Sequence, residues 1–363
     1  MPISVALIGT GGIALANHLP GVSRCRDAAV TALCDSNPEV LAHAARATGI
    51  TRTWADPMAL IRESGVDAVI VATPNRFHFP ITMAATAAGM HVLCEKPIAM
   101  TLAEAVEMAH AADAAGVRHM TAFTYRFVPA MRYMKRLVEA GYVGRPWHFR
   151  AQRFQDWGRR ALGWRQRSAD AGTGEIGDML SHRIDYGHLL VGPIASVMAG
   201  TRRLWDTRVD AGGVEHRSDL EDWVGCIAEF ETGATGVLES TKLATGYGEG
   251  ARSRDRVELN GPDGSLIFEL ESPHRVLGAQ RGGSMAEMPV PADLLTYTGG
   301  GLPAGVDPQQ AFRWDQDVEF IAAIREGRPC TPSFHDGARV QAVIEAIVTA
   351  SAERRSVAVP GPA

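Results

Sequence analysis

Val5-Ala6-Leu7-Ile8-Gly9-Thr10-Gly11-Gly12-Ile13-Ala14 lies at the start of the chain. Four apolar residues, a glycine-rich break and a helical pattern from Ile13 to Val22 read as a buried strand, a tight turn and a helix. The turn fits Gly-x-Gly-x-x-Gly/Ala. Gly9 allows the tight turn, Gly11 lets the backbone approach a pyrophosphate, and the small Ala14 lets helix and strand pack closely. The helix start at Gly12 and Ile13 adds free N–H groups and the positive end of a dipole. The next apolar run, Ala29–Cys34, ends at Asp35. A carboxylate at that place accepts hydrogen bonds from both hydroxyls of an adenosine ribose and repels a 2′-phosphate. Ser36-Asn37-Pro38 brings no cation to offset the repulsion, so NAD is favoured over NADP. The plainer alternative for Asp35 is a helix cap ahead of Pro38.

Working outward, further apolar runs at Ala68–Ala72, His91–Cys94 and His119–Phe123 alternate with helical stretches at Pro38–Ala47, Met58–Arg62, Pro80–Ala88 and Leu102–Ala115. Continuous apolar strands between amphipathic helices predict a doubly wound parallel sheet covered on both faces. Beyond about Tyr125 the pattern becomes period-two alternation with glycine turns, in His148–Phe154, Val224–Glu231, Thr235–Lys242, Arg256–Asn260 and Ser265–Glu271. That predicts a largely antiparallel sheet with one solvated face. The expected organisation is a nucleotide-binding α/β domain over residues 1–124 and a second α/β domain over 125–363. Two glycine-rich stretches, Thr245–Gly250 and Thr298–Gly305, read as loops.

The chain has 363 residues, 46% apolar and 21% charged, with net charge −5. This is the balance of a globular protein and disfavours nucleic acid as the main partner. No apolar run is long enough to cross a membrane, and the N-terminus lacks the pattern of a signal peptide. Five scattered cysteines without a Cys-x-x-Cys pair suggest reduced thiols in the cytoplasm, with neither a disulfide frame nor a zinc site.

Two clusters carry chemistry. The fourth strand runs into Thr73-Pro74-Asn75-Arg76-Phe77-His78 and the fifth into Glu95-Lys96-Pro97. Both are expected at the carboxyl ends of strands, where ligands of open α/β sheets bind. Thr73, Pro74, Asn75, His78, Glu95 and Lys96 are therefore candidates beside the cofactor. The second cluster lies in Gly172–Asp185. A helix from about Glu175 would place Asp178, His182 and Asp185 on one face. A carboxylate beside an imidazole raises its basicity and fixes its orientation. By spacing alone these residues could equally be a solvated stripe, and Lys96 a surface lysine. His188 falls on the other side of that helix, and no spacing looks like a metal-ligand set.

The Gly9-Thr10-Gly11 turn, Pro74-Asn75 with His78, Glu95-Lys96-Pro97, Tyr125-Arg126-Phe127-Val128-Pro129 and the Asp178…His182…Asp185 motif together resemble the Gfo/Idh/MocA family of sugar oxidoreductases. The resemblance covers nearly the whole chain. It implies a Rossmann domain followed by an α/β domain whose open, mostly antiparallel sheet often forms the oligomer interface, as dimer or tetramer. It also implies that Lys96 hydrogen-bonds the reacting hydroxyl, with Asp178 beside it and His182 as general base. Such an imidazole can accept a proton near neutral pH, and the ammonium can stabilise a developing alkoxide. Glu175 and Ser181 depart from the family's usual motif and either shape substrate choice or simply pack, and Arg126 reads as structural.

Between Arg145 and Arg167 stand seven arginines, one acid, and Trp147, Trp157 and Trp164. Arginine can grip a carboxylate, sulfonate or phosphate, and tryptophan can stack on a sugar face. Tyr125, Arg159, Trp164 and Arg165 are thus candidate substrate contacts for an anionic sugar, against the plainer reading of a solvated surface. The expected activity is hydride transfer between NAD and a ring hydroxyl carbon of a sugar or polyol. One rival is an NAD-dependent glycosidase that oxidises, eliminates, adds water and re-reduces, with Tyr125 or Tyr186 as a second base. Another is a non-catalytic sensor, which would have no need of Lys96 and His182.

Overall fold

A computed structural model describes residues 2–249, 252–295 and 308–361. The stretch 298–305 and Gly250 lie outside the described residues. The chain packs into two compact units, residues 1–124 with 313–338, and residues 125–312 with 339–362.

In the first unit, strands β1 (Ile3–Ile8), β2 (Ala28–Cys34), β3 (Thr53–Trp54), β4 (Ala68–Val71), β5 (His91–Cys94) and β6 (His119–Thr121) form one sheet. Its order is β3-β2-β1-β4-β5-β6 and every pairing is parallel. The order reverses at β1/β4, which opens a crevice at the strands' carboxyl ends. Ala68–Val71 is wholly buried, as expected where helices cover both faces. Asn37 caps the helix Pro38–Thr48, and Thr101 with Glu104 forms a capping box on Leu102–Ala114.

The helix after the Gly-rich turn is not regular. It widens into a π-turn at Ala14–His18, with the Leu19 N–H donating to the Ala14 carbonyl. Pro20 has no N–H to give the Ala16 carbonyl four residues back. The Trp314 indole N–H supplies that bond instead, at 3.2 Å. Residues 313–338, distant in sequence, belong to this unit through such contacts. The Thr121 hydroxyl donates to the Ser333 carbonyl, and Phe334 and Ala338 are buried in the apolar core with Ile98 and Ala105.

In the second unit, strands β7 (His148–Phe154), β8 (Ile194–Arg202), β9 (Thr207–Val209), β10 (Glu215–Arg217), β11 (Trp223–Phe230), β12 (Thr235–Thr241), β13 (Arg254–Asn260), β14 (Gly264–Glu269), β15 (Arg275–Gln280), β16 (Ala286–Pro289) and β17 (Val357–Ala358) follow one another along the chain. Nine of them form one sheet in the order β16-β15-β14-β13-β7-β12-β11-β8-β17. All pairings in it are antiparallel except β7 with β12. Along β11 the buried residues Val224, Cys226, Ala228 and Phe230 alternate with outward ones. The helix Ser181–Leu190 packs against β7 and β12.

Candidate active site

The Gly-rich turn is built for close approach. Gly9 has φ +87°, and a Cβ there would lie 2.6 Å from the Ala72 carbonyl oxygen. Gly11 and Gly12 face open space, so backbone N–H groups can be reached from outside. Asp35 ties the turn to the end of β2. Its carboxylate accepts from the Thr10 N–H (2.8 Å), the Thr10 hydroxyl (3.2 Å) and the Asn37 N–H (2.9 Å). The helix cap is Asn37, which accepts from the N–H groups of Glu39 and Val40. Three of roughly four lone-pair positions on Asp35 are thus occupied within the protein, leaving room for a ribose hydroxyl. Ser36, Asn37, Pro38 and Glu39 line a surface opening beside it, and none of them is cationic. These residues fit a dinucleotide without a 2′-phosphate.

At the next strand ends, Asn75 is buried at the head of a short turn, and the Lys96–Pro97 peptide is cis. His78 is buried, and its ring nitrogens lie 2.9 Å from the Pro97 carbonyl and 3.0 Å from the Thr73 carbonyl. Burial pulls its pKa down against the pull of these carbonyls. The imidazole sits between the Thr73 and Pro97 loops, and as a neutral ring it donates its one N–H to one of these two carbonyls. Glu95 likewise turns inward, with one oxygen on His18 (3.2 Å) and the other accepting the N–H of Lys96 (3.2 Å).

In the second unit, the helix carrying the acid-histidine motif is not regular from Glu175. A π-turn spans Ile176–Leu180, closed by the Ser181 N–H on the Ile176 carbonyl, and an α-helix runs on over Ser181–Leu190. His182 is buried with the Tyr125 ring edge-on to it, centroids 4.6 Å apart. The guanidinium groups of Arg153 and Arg183 lie over that tyrosine at 5.8 and 5.3 Å, and both pair with the buried Asp255. Asp185, on the same helix, is bound by an arginine. Arg126 holds it with a fork of hydrogen bonds at 2.5–3.0 Å, the structural part expected of that arginine.

Asp178 stands 3.9 Å from the Nε of Arg165, whose guanidinium stacks on Trp164 at 4.3 Å. Arg159 stacks on Trp205. The other arginines of the stretch disperse: Arg145 reaches the Thr232 carbonyl, Arg160 pairs with Glu249 and Arg153 is buried. Tyr186 is fully buried, and burial pushes its hydroxyl well above the ordinary range. It is therefore no base at neutral pH, contrary to the role weighed for it.

Glu175, read from the sequence as a departure from the family's motif, lies in the interior. It is completely buried, with one oxygen bound by the Ser240 hydroxyl at 2.5 Å. Burial, with Asp178 and Glu221 adding negative charge, pushes its pKa up to about 7 against the pull of Lys242. The signal in the sequence was an acid amid Gly-Thr-Gly and Ile-Gly, where the family's motif has a small apolar residue. Asp113, His119 and His335 also come together, though they lie on three separate segments. The Phe334 N–H donates to His119 Nδ1, so the proton sits on Nε2 and points at Asp113 (3.0 Å). That is a hydrogen-bonded cluster and lacks the free Nε2 lone pair a metal would need.

Residues 3–123 match the family described as "Oxidoreductase family, NAD-binding Rossmann fold", and residues 131–267 match the GFO/IDH/MocA C-terminal domain. The chain is 32% identical to levoglucosan dehydrogenase of Pseudarthrobacter phenanthrenivorans, over 90% of this chain and 89% of that protein. Identity to myo-inositol 2-dehydrogenase of Thermotoga maritima is 25%, over 97% of each. A solved structure of levoglucosan dehydrogenase with NADH and L-sorbose superposes with a TM-score of 0.92 at 30% identity, covering 99% of both chains.

Proposed function

Because the chain belongs to the Gfo/Idh/MocA family of NAD-binding oxidoreductases, whose similar members are sugar and polyol dehydrogenases, we propose that it oxidises a ring hydroxyl of a pyranose-type sugar. The reading rests above all on one observation. The two motifs that a dehydrogenase needs, Glu95-Lys96-Pro97 and Asp178 with His182, are both intact on an NAD-binding frame. Gly9, Gly11, Gly12, Ile13, Asp35, Thr73, Pro74 and Asn75 are the residues proposed to hold the dinucleotide. When bound, NAD supplies the hydride acceptor.

The protein's own groups handle the proton and the oxygen. The His182 imidazole, kept from turning by the edge of Tyr125, takes the hydroxyl proton. The Lys96 ammonium donates to the same oxygen as negative charge grows on it. Asp178 accepts a neighbouring substrate hydroxyl and steadies the charge on His182. Among the seven arginines, Arg165 has the best claim to an anionic substituent. It is half exposed, sits flat on Trp164, and its recorded carboxylate contact, to Asp178, is long at 3.9 Å. A uronate or sulfosugar would bind there bidentately.

Levoglucosan, uronates, sulfosugars and aryl glycosides form the test panel, read for NADH at 340 nm and for released aglycone. NADH without aglycone supports a dehydrogenase. Aglycone without net NADH replaces it with the glycosidase cycle, and neither signal on a folded, NAD-binding protein removes the enzyme reading. We also assign a second copy of the chain to the outer sheet face. Met198 and Ile227, paired in β8 and β11, are both more than half exposed there. A monomeric mass by light scattering would overturn that assignment.

A further inference from the structure

His18 lies outside every motif used so far, yet it sits at the most charged junction of the first unit. Its imidazole is fully buried at the end of the π-turn. Nδ1 is 2.8 Å from an oxygen of Asp317, and Nε2 is 3.2 Å from an oxygen of Glu95. Two carboxylates, one on each ring nitrogen, require both nitrogens to carry protons. Burial alone would discharge the ring, but Asp317 and then Glu95 push its pKa up to about 10. Asp317 is also fully buried, and its Oδ2 has no hydrogen bond among the described residues. Gly21 makes room for it, since a Cβ there would fall 2.4 Å from that oxygen. Three separate segments thus spend small side chains and buried charges on one contact.

What the contact holds is the turn after β5. The second oxygen of Glu95 accepts the N–H of Lys96, so the carboxylate is gripped from both sides. The His18 helix itself begins at the Gly-rich turn. We infer that His18, clamped by Asp317, is a positioning residue that fixes Glu95 and through it the direction and charge of Lys96, linking the dinucleotide turn to the reacting ammonium. The link rests on the proposed role of Lys96, but it can be read without any substrate.

The chain contains three lysines, Lys96, Lys135 and Lys242. Lys135 pairs with Glu139 on the surface, and Lys242 is buried against Asp222. Reductive methylation with 13C-formaldehyde therefore gives few lysine signals, and single Lys→Arg variants assign them. In His18→Gln two buried carboxylates face each other, and one must take up a proton. Asp317, the more buried, takes it, while Glu95 stays ionised beside Lys96 without its cation. The Lys96 signal should then titrate about half a pH unit higher than in the wild type. In Asp317→Asn the His18 cation and Glu95 remain, one negative charge is gone, and the shift should be smaller and downward. NAD affinity should stay within about threefold in both variants, because the glycines and Asp35 are untouched. On any substrate found active, kcat of His18→Gln should fall at least tenfold with KM little changed. A Lys96 signal that titrates identically in the wild type and in both variants overturns the inference, even if stability drops. Should His18→Gln fail to fold, the direction of the Asp317→Asn shift decides alone. Lack of a substrate would undo the proposed function and leave the titration result standing.

Discussion

Replacing Glu175 with Gln should make the protein more stable at pH 8 and leave it nearly unchanged near pH 4.5. An ordinary glutamate titrates at 4.5, whereas burial holds Glu175 at about 7. Below pH 4.5 the carboxyl is neutral in folded and unfolded chains alike and costs nothing. Between 4.5 and 7 the unfolded chain gives up its proton while the folded protein keeps it. The folded state then binds more protons, so stability falls as pH rises. Above 7 the whole difference is in force. At 1.36 kcal/mol per pH unit, a gap from 4.5 to about 7 amounts to about 3 kcal/mol. Glutamine is nearly isosteric, can still bond the Ser240 hydroxyl and never ionises. The variant should recover most of that energy at pH 8, worth about 5–10 °C in the melting of a unit this size. The assay is thermal unfolding of both proteins by circular dichroism at pH 5, 6, 7 and 8. A stability difference that is the same at every pH, or a variant less stable at pH 8, would refute the reasoning.

Four further outcomes can be checked. Lys96→Ala and His182→Ala should each lose at least a thousandfold in kcat/KM with NAD affinity near wild type; retained turnover in both would falsify the assigned roles. Asp35→Ala should weaken NAD binding tenfold or more by calorimetry, since it loosens Thr10 and removes the ribose acceptor together; an unchanged Kd would reduce Asp35 to a brace of the turn. Arg165→Ala should raise KM for an acidic sugar at least tenfold while leaving a neutral sugar within twofold, and equal effects on both would dismiss an anion subsite. Zinc at 100 μM should leave the melting temperature unaltered, because the Phe334 N–H keeps the proton of His119 on Nε2; a rise of several degrees would show that the cluster rearranges to bind it.

The parallel sheet was open to reading because strands buried on both faces must be apolar throughout, as Val5–Ile8 and Ala68–Val71 are. The turn at Gly9 was open for a related reason, since backbone approach leaves a mark in side-chain size. Other features leave no periodic mark. Whether His78 contacts a ligand or sits between two loops depends on carbonyls 5 and 19 residues away. The π-turns at Ala14–His18 and Ile176–Leu180 shift helical facing by a fraction of a turn, which spacing rules for regular helices miss. Asp178 lies inside the second π-turn and His182 beyond it, so their facing departs from the regular i, i+4 relation. The burial of Glu175 and the meeting of Asp113, His119 and His335 follow from tertiary packing that no short window contains.

The return of residues 313–338 to the first unit carries a cost during synthesis. Thr124, where that unit pauses, and Arg313, where it resumes, are separated by 188 residues. At roughly 5–20 residues per second, the ribosome needs on the order of 10–40 s to deliver the missing piece. Through that interval the nascent nucleotide fold waits with His18 lacking Asp317 and the Ala16 carbonyl lacking the Trp314 indole. The nucleotide-binding unit is thus completed by a segment translated only after most of the second unit.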